Sequence, residues 1–427
     1  MADTPSHVAR FGRIVDPDSN ELLDEAVATV FRAPKSFTGE NTVEISVHGS
    51  RWIQRELINL LIRSGCRLAE AGEFTRRAFA NGKMDLAEAE AVADVIASTS
   101  KAAHRVAMSQ MRGQFSQQLQ LLHDKLLDLS ALLELELDFS EEDVEFANRQ
   151  QLIDIAEQIF TTVSRLERSF STGQALKSGV PVAIVGAPNA GKSTLLNQLL
   201  GDEKAIVSNI PGTTRDVIED TIELEGVQFR LIDTAGLHST ADTIERLGIE
   251  RAISQIQRAR IVLWVVDAME SAEALKQTSA EIAASLASDA TLIIALNKTD
   301  LAADAATAQQ AIEALPEMKP LLHAARFVQI SAKIGTGIDA LSHLLVETSG
   351  LQQWSDEIVV TNARHYQALV NARQSIERTI QGLKSALSGD FIAQDLRETL
   401  HYLGEITGSI TTPDILATIF SRFCIGK

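Results

Sequence analysis

Val182-Ala-Ile-Val-Gly186-Ala-Pro-Asn-Ala-Gly191-Lys192-Ser193-Thr-Leu-Leu is the stretch on which the reading of this 427-residue chain turns. An apolar run leads into a glycine-bounded turn, and the turn leads into a helix-forming run. That is a strand, a loop and a helix, with the loop matching G-x-x-x-x-G-K-[ST]. Glycine at both ends lets the backbone wrap a phosphate group with its N–H donors. Lys192 is placed to reach the β and γ oxygens, and the Ser193 hydroxyl to ligate Mg²⁺. Four fixed positions recur by accident in about one or two of every hundred chains this long. The rest of the chain has to decide whether this is a nucleotide loop or a glycine-rich turn.

Outward from the loop, further apolar runs lie at Phe229–Ile232, Ile261–Val266 and Leu292–Leu296. Runs without polar alternation suit strands buried on both faces, as in a parallel sheet covered by helices. Helical stretches separate them, so 177–350 is predicted to be a doubly wound, mostly parallel α/β domain. Three runs end in residues with chemistry. Asp233-Thr234-Ala235-Gly236 puts a carboxylate where it can hold Mg²⁺ through water and a glycine N–H where a γ-phosphate would lie. Asn297-Lys298-Thr299-Asp300 offers a carboxylate that accepts two hydrogen bonds from guanine N1–H and its amine; adenine has an acceptor there and is refused. Ser331-Ala332-Lys333, after Phe327–Ile330, offers a backbone N–H to the guanine oxygen. Four such motifs in order at strand ends predict GTP binding and hydrolysis.

The set resembles the translation-factor-like class of small GTPases. In that class a threonine between the first two motifs closes on Mg²⁺ and the γ-phosphate. Here the corresponding loop is Ser208-Asn209-Ile210-Pro211-Gly212-Thr213-Thr214, with Thr214 the expected Mg²⁺ ligand beside Ser193; Thr194 completes the phosphate loop. One position departs from Ras-type enzymes, which carry a water-orienting glutamine just after D-x-x-G. Leu237 stands there and cannot polarise water. Glu245, in the polar stretch 238–246, can act through a bridging water, or it is a solvated carboxylate at a helix start. Asn189 can ligate a monovalent cation that replaces an arginine finger electrostatically, or it is a turn residue beside Pro188.

The flanks are helical. In Gln114–Phe139, apolar residues at Phe115, Leu119, Leu122, Leu126, Leu129 and Leu133 form a heptad seam; Leu152, Ile155, Ile159, Val163, Leu166 and Phe170 form a second. Leu369, Ala372, Ile376, Ile380 and Leu383, then Ile392, Leu396, Leu400 and Leu403, form two more near the C-terminus. Stripes that lack partners within their own segment predict one helical domain built from 82–176 and 351–427, with 177–350 inserted. Residues 1–81 read as a small α/β domain, with strands at Ala26–Phe31 and Val43–Val47 and a helix at Trp52–Arg63.

Composition narrows the setting. Net charge is −18, which argues against a general nucleic-acid coater but leaves room for a local basic patch. Two cysteines, Cys66 and Cys424, cannot form a disulfide framework and fit a reducing compartment. No uncharged apolar run reaches the roughly 18 residues of a membrane span, and no signal-peptide core is visible, so a cytoplasmic location without a membrane partner is expected. No histidine has the spacing of a zinc ligand.

Motifs outside 177–350 carry a wider resemblance. Ser36-Phe-Thr-Gly-Glu40, Glu44, His48-Gly49, Gly72-Glu-Phe-Thr75, Arg77-Ala-Phe79, Gly82-Lys-Met-Asp-Leu86 and Phe423-Cys-Ile-Gly-Lys427 all resemble the tRNA uridine-5-carboxymethylaminomethyl modification GTPase family, called MnmE or TrmE. The resemblance covers nearly the whole chain. It implies a K⁺-dependent GTP hydrolase acting with an FAD-containing partner (MnmG, or GidA) in a heterotetramer or larger complex. Together they modify C5 of the wobble uridine, position 34, of certain tRNAs to a carboxymethylaminomethyl or aminomethyl group. It implies a homodimer whose N-terminal domains bind 5-formyl- or methylene-tetrahydrofolate. Carried onto this chain, Asn189, Ser208, Ile210 and Thr213 become K⁺ ligands, Glu245 the catalytic glutamate beside Lys192, and Glu44, Lys83 and Lys427 folate contacts. Family members begin with a further segment holding an Arg-Gly-Gly run, which this chain is expected to lack. Two other readings stay open: a ribosome-assembly GTPase switch, and a GTP-binding scaffold without folate function.

Overall fold

The computed structural model describes residues 3–138, 149–201, 221–232, 253, 256–288, 290–301, 306–351, 358–385, 387–421 and 423. The chain forms two compact units: Met1–Ala97, Ala107–Glu167 and Ala363–Lys427 make one, and Ser98–Val106 with Arg168–Asn362 make the other.

The first unit opens with an antiparallel sheet of β1 (Val8–Val15), β2 (Leu22–Phe31) and β3 (Thr42–Ser46), in that order. β2 alternates as a half-buried strand must: Ala26, Ala28 and Val30 point inward. Helix α1 (Arg51–Arg63), started by the Ser50 hydroxyl accepting from Ile53 N–H, packs against β2 and buries Leu57 and Leu60. Helices α2 (Glu73–Ala80), α3 (Leu86–Ala97) and α4 (Lys101–Met111) follow, then the long α5 (Gln114–Asp138) and α6 (Arg149–Ser178).

The predicted seam of α5 is buried along its length, from Phe115 and Leu119 to Leu126 and Leu133. Its partner comes from the far end of the chain. Among α11 (Ala363–Lys384), α12 (Gly389–Thr407) and α13 (Pro413–Phe420), α12 packs on both α11 and α5, so the stripes at 369–383 and 392–403 close one core with 115–133. The helical domain is therefore discontinuous in sequence, with the sheet-bearing segment inserted. Bonds across it have partners hundreds of residues apart. Arg149 Nε donates to Leu383 O, and Arg373 pairs with Glu167 at 2.6 Å.

A buried ionic group ties α3 to α11 and α12. Glu90 accepts from Arg364 Nε at 3.1 Å and Nη2 at 2.9 Å, and lies 2.6 Å from His365 Nε2. Arg364 also donates to the carbonyls of Glu405 and Ile406 at the end of α12. Burial alone would raise the Glu90 carboxyl, but the bonds and charges of His365 and Arg364 outweigh it and hold it at about 2.

The second unit is built on a six-stranded sheet ordered β5-β6-β4-β7-β8-β9, with β4 at Val180–Val185, β5 at Thr221–Leu224, β6 at Val227–Leu231, β7 at Ile261–Asp267, β8 at Thr291–Asn297 and β9 at Arg326–Gln329. All neighbours are parallel except β5, which turns back on β6 through Glu225 and Gly226. Both faces are covered, as the uninterrupted apolar runs predict. In β7, Ile261, Leu263 and Val265 enter one core, and Val262, Trp264 and Val266 the other. Among the described residues of 180–350 the helices are α7 (Lys192–Gly201), α8 (Ala272–Ser285), α9 (Ala306–Ala314) and α10 (Ile338–Ser349). Helix α6 runs through the change of sequence texture at Thr172 to Ser178. Its last turns are held by the chain leaving the sheet: Val360 N–H donates to Ser169 Oγ, and Gln174 Nε2 donates to Thr361 O.

Candidate nucleotide-binding site

Strand β4 lies between β6 and β7, the point where the strand order reverses direction. Loops leaving the carboxyl ends of strands diverge there and open a crevice. The Gly186–Gly191 loop occupies that point, between β4 and α7.

Its glycines are required by contact. A Cβ on Gly186 would stand 2.2 Å from Val265 O, and one on Gly191 (φ +99) 2.2 Å from Asn297 Nδ2. The loop is thus pressed against β7 and the end of β8, and Asn189 adopts a left-handed conformation at its tip (φ +62). Lys192 Nζ donates to Gly186 O at 2.7 Å and to Ala187 O at 2.8 Å. These neutral carbonyls are the kind of partner a phosphate would replace. Burial lowers the Lys192 ammonium from its ordinary value, and the charge of Glu270 partly restores it.

Asn297 joins the motifs. Its side chain is buried; Nδ2 donates to Ala190 O at 2.8 Å, and Oδ1 accepts from Ala332 N–H at 2.9 Å. One amide therefore binds the phosphate loop on one side and the Ser331-Ala332-Lys333 loop on the other. Ser331 Oγ in turn donates to Asp300 Oδ1 at 2.6 Å, which fixes one carboxylate oxygen of an otherwise exposed Asp300. Thr299 is anchored to Ile330 O through both N–H and Oγ1. Lys298 adopts φ +62 and pairs with Asp267 Oδ2 at 2.7 Å. Within the Ser331-Ala332-Lys333 loop, the Ala332 N–H is bonded to Asn297 Oδ1. Asp267 and Glu270 were not singled out from the sequence, because an acid after an apolar run such as Ile261–Val266 is ordinary without a motif around it.

The structure thus brings together Asn189, Ala190, Gly191, Lys192, Ser193 and Thr194 with Asn297, Lys298, Asp300, Ser331, Ala332 and Lys333. Ser193 and Thr194 are exposed in the first turn of α7. Residues Ser208 to Thr214, Asp233 to Gly236, Leu237, Glu245, Cys424 and Lys427 lie outside the described residues.

The motifs of the first unit also converge. Phe423 rests against Gly72 and meets Phe420 at a tilted 48° with ring centroids 5.3 Å apart, and Phe420 in turn lies by Phe79; Leu86 and Met84 complete the cluster. Glu73 is buried, and bonds from Arg67, followed by the Glu70 N–H, hold its carboxyl at about 2. Glu40 binds Arg77 and Asn81, and Asn81 also donates to Thr38 O. Lys83 lies over Gly39 and donates to Pro34 O at 3.1 Å, while Glu44 stands exposed on β3. A cavity of about 560 Å³ opens between Phe79, Met84, Glu88, Gly113, Gln117 and Gly408; neither Glu44 nor Lys83 lines it.

Comparison with known proteins agrees with this layout. The family described as the MnmE helical domain matches residues 86–424, and the GTP-binding protein TrmE N-terminus matches 1–83. The tRNA modification GTPase MnmE of Christiangramia forsetii is 50% identical, over 100% of this chain and 91% of the relative. That of Bacteroides thetaiotaomicron is 49% identical with the same coverage. Among solved structures, a GTP-binding protein of Sulfolobus solfataricus in complex with GDP is 18% identical with a TM-score of 0.31, covering 54% of this chain and 68% of that one. A likeness that slight adds nothing to the sheet topology. With both family profiles together spanning almost the entire sequence and half the residues shared with a relative, the chain belongs to the MnmE/TrmE family of tRNA modification GTPases.

Proposed function

We propose that this tRNA modification GTPase hydrolyses GTP by a K⁺-dependent route, using the site residues read from its motifs. The observation that carries the reading is the buried Asn297, which draws Ala190 and Ala332 to one mouth with Asp300 beside them. Lys192 exchanges its two carbonyl partners for the β/γ-phosphates. Asp300 selects guanine, and backbone donors of Asn189–Ser193 hold the phosphates. Glu245 orients the attacking water. Ser193 and Thr214, with Asp233 behind them, would hold Mg²⁺. Asn189, Ser208, Ile210 and Thr213 would hold K⁺, which supplies positive charge where negative charge develops on the phosphates.

The same reading assigns 1–81 to folate binding and dimerisation through Glu44, Lys83 and Lys427, 82–176 and 351–427 to the helical domain, and 177–350 to the G domain. The substrate is the wobble uridine of certain tRNAs, the one-carbon donor a 5-formyl- or methylene-tetrahydrofolate, the partner an FAD protein of the MnmG type, and the setting cytoplasmic. No helix among the described residues is long and apolar enough to cross a membrane.

Two measurements test this. Phosphate release at saturating GTP should be many-fold faster in K⁺ than in Na⁺, and equal rates would remove the cation from the mechanism. Calorimetric titration with 5-formyl-tetrahydrofolate should give stoichiometric binding; no heat and no competition would leave a GTP-binding protein without folate function.

A further inference from the structure

The loop after β7 binds to the N-K-x-D motif at two points. Ala268 N–H donates to Asn297 O at 2.9 Å, and Asp267 Oδ2 receives the ammonium of Lys298 at 2.7 Å. Asp267 is itself immobilised. Its Oδ1 accepts from Met269 N–H at 2.9 Å, its N–H donates to Glu270 Oε2 at 3.2 Å, and its backbone is in register with Asn297 across the β7–β8 ladder. Lys298 meets this carboxylate from a left-handed backbone (φ +62), a conformation that a long side chain rarely adopts without compensation. Both groups are half-buried, with 32% and 24% of their side chains exposed. An ion pair of this kind, with one partner held by two further bonds, sets geometry as well as charge.

We propose that Asp267 is a positioning residue of the nucleotide site: by holding the Lys298 ammonium it stabilises the left-handed turn that sets Asp300, two residues on, for the guanine base. Glu270 belongs to the same acidic platform. Its Oε1 is buried without a partner and its charge is felt by both Lys192 and Lys298. The platform therefore faces two lysines of the nucleotide site, with Asp267 in direct contact with one of them. This rests on the guanine-nucleotide reading of the site.

The test is equilibrium binding of a fluorescent GDP analogue and of GTP to the full chain. Asp267→Asn keeps the acceptor for Met269 N–H and removes the charge. Both nucleotides should bind about tenfold more weakly, in equal proportion, equivalent to about 1.4 kcal/mol. Asp267→Glu, which restores the carboxylate, should recover part of the loss. In Lys298→Met the further change Asp267→Asn should cost almost nothing, because Asp267 acts through Lys298. Unchanged affinity in Asp267→Asn, or full additivity with Lys298→Met, would overturn the proposal while wild-type binding leaves the nucleotide reading intact. A wild-type chain that binds no guanine nucleotide would remove both.

Discussion

Glu90→Gln keeps the size of a side chain that reaches His365 and Arg364, but removes its charge and replaces one accepting oxygen with a donor amide. The carboxyl is held at about 2 in the folded chain, against an ordinary 4.5. A difference of that size corresponds to about 3 kcal/mol of folding free energy at neutral pH. Because the folded value is the lower one, the contribution is fully present above about pH 4.5 and drains away as pH falls through about 2. Removing the charge also leaves the Arg364 guanidinium without its buried counter-charge, which is costly by itself. The variant should therefore lose about 3 kcal/mol at pH 7, and the gap from wild type should shrink by more than half at pH 3. Urea unfolding followed by far-UV circular dichroism, which is dominated by the helices, reads this difference across pH. Identical midpoints at pH 7, or a gap that widens toward acid, would show that the cluster does not act through the Glu90 charge.

Gly191→Ala places a Cβ 2.2 Å from Asn297 Nδ2 at φ +99, and should raise the GDP dissociation constant by at least about tenfold in fluorescence titration; near-normal affinity would mean that the loop relaxes freely. Asn297→Ala leaves Ala190 O and Ala332 N–H without their partner, at about 1–3 kcal/mol for each unpaired group, and should lower the melting temperature as well as nucleotide affinity. Loss of affinity with unchanged melting would place Asn297 on the ligand alone. Asp300→Asn presents a donor where the guanine amine needs an acceptor, so the variant should bind xanthosine diphosphate in preference to GDP; retained guanine preference would move base recognition elsewhere.

The sheet and the phosphate loop were legible because both are local. Apolar runs such as Ile261–Val266 announce doubly covered strands, and a glycine–lysine loop after a strand announces its geometry. The heptad stripe of α5 was legible too, and it foretold a helical partner, yet nothing local in 114–138 says that the partner is α12. The role of Asn297 as a bridge was not readable, since only the fold brings Ala190 and Ala332 to its two ends. Asp267 escaped for the converse reason. An acid ending a strand is ordinary, and only the pairing of β7 with β8 puts it under Lys298. Glu40 and Arg77 read as family signatures, and the structure gives them a plain task, tying, with Asn81, the 34–41 loop to α2.

The knot of Glu90 with Arg364 spans 274 positions of the chain. At a ribosomal rate of about 5–20 residues per second, α3 waits on the order of 15 to 55 seconds for its counter-charge to be made. The stripe of α5 waits nearly as long for α12, whereas every strand from β4 to β9 lies within 180–329. Vectorial synthesis thus favours completion of the sheet while α3 and α5 still expose apolar and charged surface meant for helices not yet translated. The interval is a window for chaperone binding, and the final sixty residues, rather than the nucleotide-binding segment, decide when the nascent chain becomes safe from aggregation.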